Sequence, residues 1–160
     1  MIETASYEPS SLCPCGSMQP YGQCCYLSHQ DHTQASSPEK LMRSRYSAFA
    51  IKKFDYIIAT QHPDYQNGLT VEQLANDPQP QWLGLEVLNS EQRSKEGIVI
   101  FKAWFKQNKQ LDVIYERSNF ILQNKLWYYT DGEQQQCALP KRNQSCICHS
   151  GKKFKQCCMP

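Results

Sequence analysis

Eight of the nine cysteines fall into two copies of one pattern, Cys-x-Cys-x8-Cys-Cys. Cys13, Cys15, Cys24 and Cys25 form the first copy, and Cys146, Cys148, Cys157 and Cys158 form the second. Each copy gathers four thiols within thirteen residues. That set suits Zn2+, which takes soft or borderline ligands at tetrahedral corners, and a full set of four leaves no position open for a substrate, the mark of a structural ion. So short a segment buries no core of its own. Metal must then supply most of its folding free energy, on the order of 10–16 kcal/mol in comparable zinc peptides, and the expectation is one Zn2+ for each copy.

Other readings of the thiols fit less well. Disulfides need an oxidising compartment, whereas the chain opens MIETASYEPSS, with no basic stretch leading into an apolar one, so a cytoplasmic address is expected. Neighbouring cysteines would join only as strained vicinal bridges, and the odd total leaves one thiol over. Redox pairs usually read Cys-x-x-Cys beside a βαβ pattern, which is missing here. Chance clustering does not explain the repeated intervals or the serine shared after each first pair, Ser17 and Ser150.

Something must hold the two segments apart. The 160 residues allow one ordinary domain and two small appendages, and the 40% hydrophobic share, with six Phe, nine Tyr and three Trp, fills one core. No apolar run approaches the length of a membrane span. The net charge of +2 is uneven: Lys141, Arg142, Lys152, Lys153 and Lys155 give residues 137–160 a charge of +5 with no acid, leaving −3 elsewhere. Four thiolates on one Zn2+ carry a formal −2, so part of this excess balances the cluster.

Residues 26–36 (YLSHQDHTQAS) are polar and aperiodic and read as a linker. The chain thus divides into a first knuckle over 1–28, a linker over 29–36, a central domain over 37–136 and a second knuckle over 137–160. Ser36 and Ser37 before Pro38 and Glu39 signal a helix start, with Ser36 and Glu39 spaced for a capping box. The helix over 38–51 carries Met42, Tyr46 and Phe49 on one face, with Leu41 and Ala48 alongside. A second helix spans 53–60 and ends at His62-Pro63, and Thr70 with Gln73 caps a third over 70–76. From Gln81 the period becomes twofold, giving strands over 82–91, 97–107, 110–122 and 126–130. In the second strand Ile98, Ile100 and Trp104 oppose Val99, Phe101, Ala103 and Phe105, and both faces read as largely buried. Glu96-Gly97, Asn108-Lys109 and Asn124-Lys125 are placed to turn the chain into antiparallel hairpins. The fold class is α+β, helices packed on a curved antiparallel sheet, whose cone-shaped interior can leave a pocket.

Sites other than the thiols carry less signal. Arg43, Arg45 and Tyr46 on the first helix, with Glu116 and Arg117 in a strand, offer an ionic pair for the cone, though charges in such a domain mostly satisfy one another. His62 and Asp64 are the close His/Asp pair, in a breaker segment where solvated loop residues are expected. Tyr115, Trp104 and Trp127 read as core, Cys137 as an ordinary thiol, and no phosphate loop or Ser-His-Asp order appears.

The interior of CICHSGKKFKQCC at 146–158 resembles the SEC-C motif, best known from the C-terminus of the translocation ATPase SecA. SEC-C, LMRSRYSAF at 41–49, QWLGLEV at 81–87, ERSNF at 116–120, WYYTDG at 127–132 and SEC-C again is an order similar to that of the YchJ family. The resemblance covers nearly the whole chain. It implies a nuclear-transport-factor-2-like (NTF2-like, cystatin-like) cone between zinc knuckles, with the two cysteine sets as metal ligands. The second copy departs from the motif at His149, where a glycine is usual, and His149 is a competing ligand only if the four thiolates leave room. The first copy has MQPYGQ in place of the lysines. The function expected is that of an adaptor or binding module docking a protein partner through Lys152, Lys153, Phe154 and Lys155, with ribosomal RNA or another nucleic acid a weaker partner. The alternative is an enzyme or small-ligand binder that uses the cone.

Overall fold

Cys25 opens the first helix of a computed structural model that describes residues 6–160. The helices are α1 (Cys25–Gln30), α2 (Pro38–Ala50), α3 (Phe54–Thr60) and α4 (Val71–Asn76), and the strands are β1 (Gln81–Arg93), β2 (Glu96–Gln107), β3 (Gln110–Gln123) and β4 (Leu126–Gln135). Single 3-10 turns lie at Tyr21–Gln23, His32–Gln34, Pro63–Tyr65 and Phe154–Gln156.

Proline sets where α2 begins. Pro38 has no N–H and its fixed φ suits the first helical position, so the cap is the residue before it: the Ser37 hydroxyl accepts from the Lys40 N–H at 3.1 Å. The capping box expected at Ser36 and Glu39 therefore does not form, and Glu39 instead pairs with Arg43 one turn on at 3.1 Å. The box at Thr70 and Gln73 is present and starts α4.

The strands follow one another in the sheet, β1-β2-β3-β4, all antiparallel. Asn108-Lys109 (φ +51° and +64°) and Asn124-Lys125 (φ +52° and +65°) turn the chain with paired left-handed residues, which match the twist of a hairpin. The first hairpin differs from expectation. Its tip is at Ser94-Lys95, with Ser94 at φ +53°, while Glu96 and Gly97 pair with Arg93 and Gln92 inside the sheet. Gly97 serves packing rather than turning, because a Cβ there would lie 2.9 Å from Cβ of Pro38 and overlap its ring. Irregularities in β1 at Trp82/Gly84 and Val87/Asn89, and between β3 and β4 at Ser118/Phe120, bend the sheet around α2. Past the last of these, β4 continues to Gln135, beyond the expected end at 130.

Val99, Phe101 and Ala103 bury the concave face beneath α2, together with Leu41, Met42, Tyr46 and Ala48. On the opposite face Ile98 and Ile100 are only half-buried, and Trp104 alone of the three is fully covered. Burial of both faces is thus confined to one end of β2.

Residues 26–36 are not a structureless connection. They contain all of α1 but its first residue, together with the His32–Gln34 turn, and Ser28 is buried. His29 donates from Nε2 to the Ser44 carbonyl at 2.8 Å and accepts at Nδ1 from the Tyr21 hydroxyl at 2.6 Å. His32 donates from Nε2 to the Trp127 carbonyl at 2.7 Å. These polar side chains are spent on buried carbonyls, a use that leaves no hydrophobic period to read. Among the described residues no helix is long and apolar enough to cross a membrane.

Candidate metal centres

The two cysteine segments fold alike because each chain reversal is made by the same backbone bonds. In the first, the Cys13 N–H donates to the Gln19 carbonyl (2.8 Å), Gly16 to Cys13 (3.3 Å) and Cys24 to Tyr21 (3.0 Å). In the second, Cys146 donates to Lys152 (2.8 Å), His149 to Cys146 (3.2 Å) and Cys157 to Phe154 (3.1 Å). The residue three after the first cysteine of each segment takes a left-handed conformation, Gly16 at φ +80° and His149 at φ +61°. Both tetrads are thereby closed, with the four sulfurs of each within 4.8 Å of one another.

The sulfur spacing fits a tetrahedral thiophilic ion. Bonds of about 2.3 Å place tetrahedral sulfurs about 3.8 Å apart, and the structure has Cys15–Cys24 at 3.6 Å, Cys24–Cys25 at 4.0 Å, Cys146–Cys148 at 3.5 Å, Cys148–Cys157 at 3.4 Å and Cys157–Cys158 at 3.9 Å. All are far longer than a disulfide. Ser17 and Ser150 lie 3.2 and 3.4 Å from the sulfurs of Cys24 and Cys157, placed to hydrogen-bond a thiolate and hold it in position. Hydrogen bonding with Cys25, opposed by burial and aided by Ser17, brings the Cys24 thiol down to about 6. Burial raises Cys148, but its bonds with Ser150 and Cys157 prevail and bring it to about 6. Hydrogen bonds within each set thus favour ionisation of a thiol, the direction that metal binding requires.

The centres differ in what surrounds them. Cys13, Cys15 and Cys25 belong to the main core, in one buried cluster with Leu41, Met42 and Tyr46. Arg43 donates to the Cys15 carbonyl at 2.9 Å, and the Ser47 hydroxyl lies 3.6 Å from the Cys13 sulfur, so α2 grips the first knuckle directly. Cys146, Cys158 and Phe154 form a separate cluster against Leu83 and Leu111 on the face of the sheet turned away from α2. Gly84 permits that seat, since a Cβ there would overlap the Ile147 carbonyl oxygen and lie 3.0 Å from the carbonyl carbon. His149 is not a ligand: its Nε2 donates to the Leu85 carbonyl of β1 at 3.0 Å.

Lys152, Lys153 and Lys155 are exposed, but Phe154 is only 3% exposed and is the apolar centre of its knuckle. It is unavailable as a contact, a correction to the docking set expected from sequence. A short module needs at least one such residue beneath its ligands, and a single aromatic among lysines reads the same way in sequence whether it faces in or out.

The remaining candidates scatter. Arg43 leaves the cone for the first knuckle, and Arg117 faces away from α2 beside Asn119 at 3.4 Å. His62 is buried and not a solvated loop residue: its N–H donates to the Tyr129 carbonyl (2.8 Å), its Nε2 to Gln123 Oε1 (2.6 Å), and its Nδ1 accepts from the Asp64 N–H (3.2 Å). The Asp64 side chain is 85% exposed, and it is His62 that ties the segment after α3 to β3 and β4. Trp127 is core, Trp104 is covered on the outer face, and Tyr115 lies under Lys102 with the ammonium 5.2 Å from its ring centroid. Cys137 is free and half-buried. Arg45, Tyr46 and Glu116 do share the cone interior, along with Phe49, Trp82 and Tyr129. Sequence periodicity marked Phe49 only as core and gave Trp82 and Tyr129 no role.

Fold and site together define an NTF2-like domain flanked by two four-cysteine clusters. Residues 37–132 match the family described as YchJ, middle NTF2-like domain, and residues 142–160 match the SEC-C motif. A UPF0225 protein of Shewanella sp. (strain MR-7) is 53% identical over 156 residues, 92% of this chain and 95% of the relative. A UPF0225 protein of Vibrio parahaemolyticus is 41% identical, covering 93% and 99%. The solution structure of a SEC-C motif containing protein from Rhodopseudomonas palustris is similar at TM-score 0.70 and 35% identity over 79% of this chain and all of that one. The crystal structure of another from Psychrobacter arcticus gives TM-score 0.68 and 32% identity over 94% and 96%. The chain belongs to the YchJ (UPF0225) family.

Proposed function

We propose that this protein is a zinc-stapled docking module. Each cysteine tetrad holds one structural Zn2+, and the C-terminal knuckle presents Lys152, Lys153 and Lys155 to an acidic patch on a protein partner in the reducing cytoplasm. The observation that carries this reading is charge without compensation: residues 137–160 hold five cations and no acid, and among the described residues none of the five has a carboxylate within 4.0 Å. A zinc–tetrathiolate centre offsets a formal two of those charges and leaves the rest for a partner. Metal also fixes the lysines on a unit too small to order them otherwise, which lowers the entropic cost of docking. Burial of Phe154 weighs against single-stranded nucleic acid, whose bases need an exposed aromatic to stack on.

The test compares immobilised wild-type protein with a Lys152→Ala, Lys153→Ala, Lys155→Ala variant. Specific proteins retained by the first and lost from the second, with two zinc atoms in both by elemental analysis, support the reading. Equal retention overturns it, and so does retention that disappears after ribonuclease treatment.

A further inference from the structure

The cone between α2 and the sheet is not plugged. A cavity of about 250 Å3 remains, walled by apolar and aromatic side chains that include Phe49, Trp82, Phe101 and Ile114. Arg45 stands in it only 6% exposed. Its Nη1 donates to the Ile57 carbonyl at 2.8 Å and the Thr60 hydroxyl at 2.7 Å, and its guanidinium lies 4.7 Å from the centroid of the Tyr129 ring. Nε and Nη2 carry no hydrogen bond among the described residues, and neither does the hydroxyl of the neighbouring, buried Tyr46.

Glu116 acts on that charge only at a distance, without direct contact. Its Oε1 accepts from Ser118 (2.6 Å) and Tyr129 (2.9 Å), its Oε2 accepts from Gln134, and among the described residues it makes no ion pair with Arg45. Gly132 leaves room for it there, since a Cβ at that position would overlap the carboxylate. The cavity therefore contains one anion fully occupied with neutral donors and one buried cation held only by neutral acceptors. A guanidinium edge left without hydrogen bonds in a largely buried site is costly, and that free edge presents two parallel N–H groups that match a carboxylate.

We propose that the cone binds a small organic acid with an aromatic or branched aliphatic body. The carboxylate accepts from Nε and Nη2 of Arg45 and from the Tyr46 hydroxyl, and the body packs on Phe49 and Trp82. A carboxylate fits the planar Nε–Nη2 edge and adds one negative charge beside Glu116, whereas a phosphate dianion would add two.

The full-length, metal-loaded protein is titrated with phenylacetate, phenylacetamide and phenyl phosphate while the Trp82 indole and Tyr129 amide resonances are followed by NMR. The expected result is saturable binding of phenylacetate, at least tenfold tighter than either analogue, lost on Arg45→Met and on Ala103→Leu. The second variant fills the cavity and leaves Arg45 in place, so the test stands if the first fails to fold. Equal affinity for the amide, tighter binding of the phosphate, no saturable shift with phenylacetate, or undiminished binding by Ala103→Leu would each overturn the proposal.

Discussion

The imidazole of His149 lies 3.3 Å from the point where a side chain on Gly16 would begin. These residues hold the same place in the two cysteine repeats, and β1 separates their elements: Leu85 of that strand accepts from His149, and its carbonyl oxygen lies 3.6 Å from the same point. The two cysteine units are therefore not independent appendages but meet across one edge of the sheet.

Gly16→Ala should destabilise the protein by about 1–2 kcal/mol through the left-handed backbone alone, with crowding of His149 in addition. His149→Gly relieves its own backbone but gives up the bond to Leu85, so its net effect should be within about 1 kcal/mol. In the double variant the crowding vanishes while the strain at position 16 stays. Urea denaturation of all four proteins should yield a coupling of about 0.5 kcal/mol or more, and strict additivity would count against the contact.

Gly84→Ala is predicted to lift the C-terminal knuckle from the sheet. Backbone does not yield as a flexible side chain would, and overpacking of this kind costs about 1–3 kcal/mol. Hydrogen exchange should quicken at the Cys146 and Phe154 amides while those of β3 keep their protection.

Metal removal should act in two stages. Cys157 is exposed and Cys148 half-buried, whereas Cys13, Cys15 and Cys25 are buried in the main core. A chelator added to the loaded protein should extract one ion quickly and the other slowly. Cys146→Ser should lower metal content by one with little change in the main unfolding transition, and Cys13→Ser should shift that transition itself.

His29 makes stability depend on pH. Burial lowers its pKa from 6.5, against a smaller rise from the bond to Ser44. The folded state thus binds its proton less readily than the unfolded chain, so the contribution is complete above about pH 6.5 and is lost as pH falls toward the lower folded value. His29→Gln should cost about 1–3 kcal/mol at pH 7 through the buried Tyr21 and Ser44 partners. It should also flatten the decline of stability as pH falls below about 6.5, as thermal melts at constant metal content would reveal.

How far the sequence could be read depended on whether a feature is local. Cysteine intervals carry their geometry within thirteen residues, and the Asn-Lys turns and the Thr70 box are local too, so these parts were legible. The positions of Glu96-Gly97 and Phe154 were not, because each was decided by a distant surface: Pro38 pressing on Gly97, and the sheet under the knuckle. The histidines of 26–36 were hidden for a similar reason, since their partners are carbonyls 15 and 95 residues away. Arg45 was visible as a charge on a helix face, but only tertiary placement shows that Glu116 turns away from it.

At the other margin of the sheet, the His62 N–H and the His32 ring bond to carbonyls of Tyr129 and Trp127 on β4. With His149 on β1, each outermost strand has a carbonyl already claimed by an imidazole or a loop amide. Unclaimed ladders invite other chains to add themselves and grow fibrils. On the proposed reading, in which the C-terminal segment folds on its ion, that segment covers part of the β1 margin, and a preparation stripped of metal is expected to clump through β1 before its helices melt.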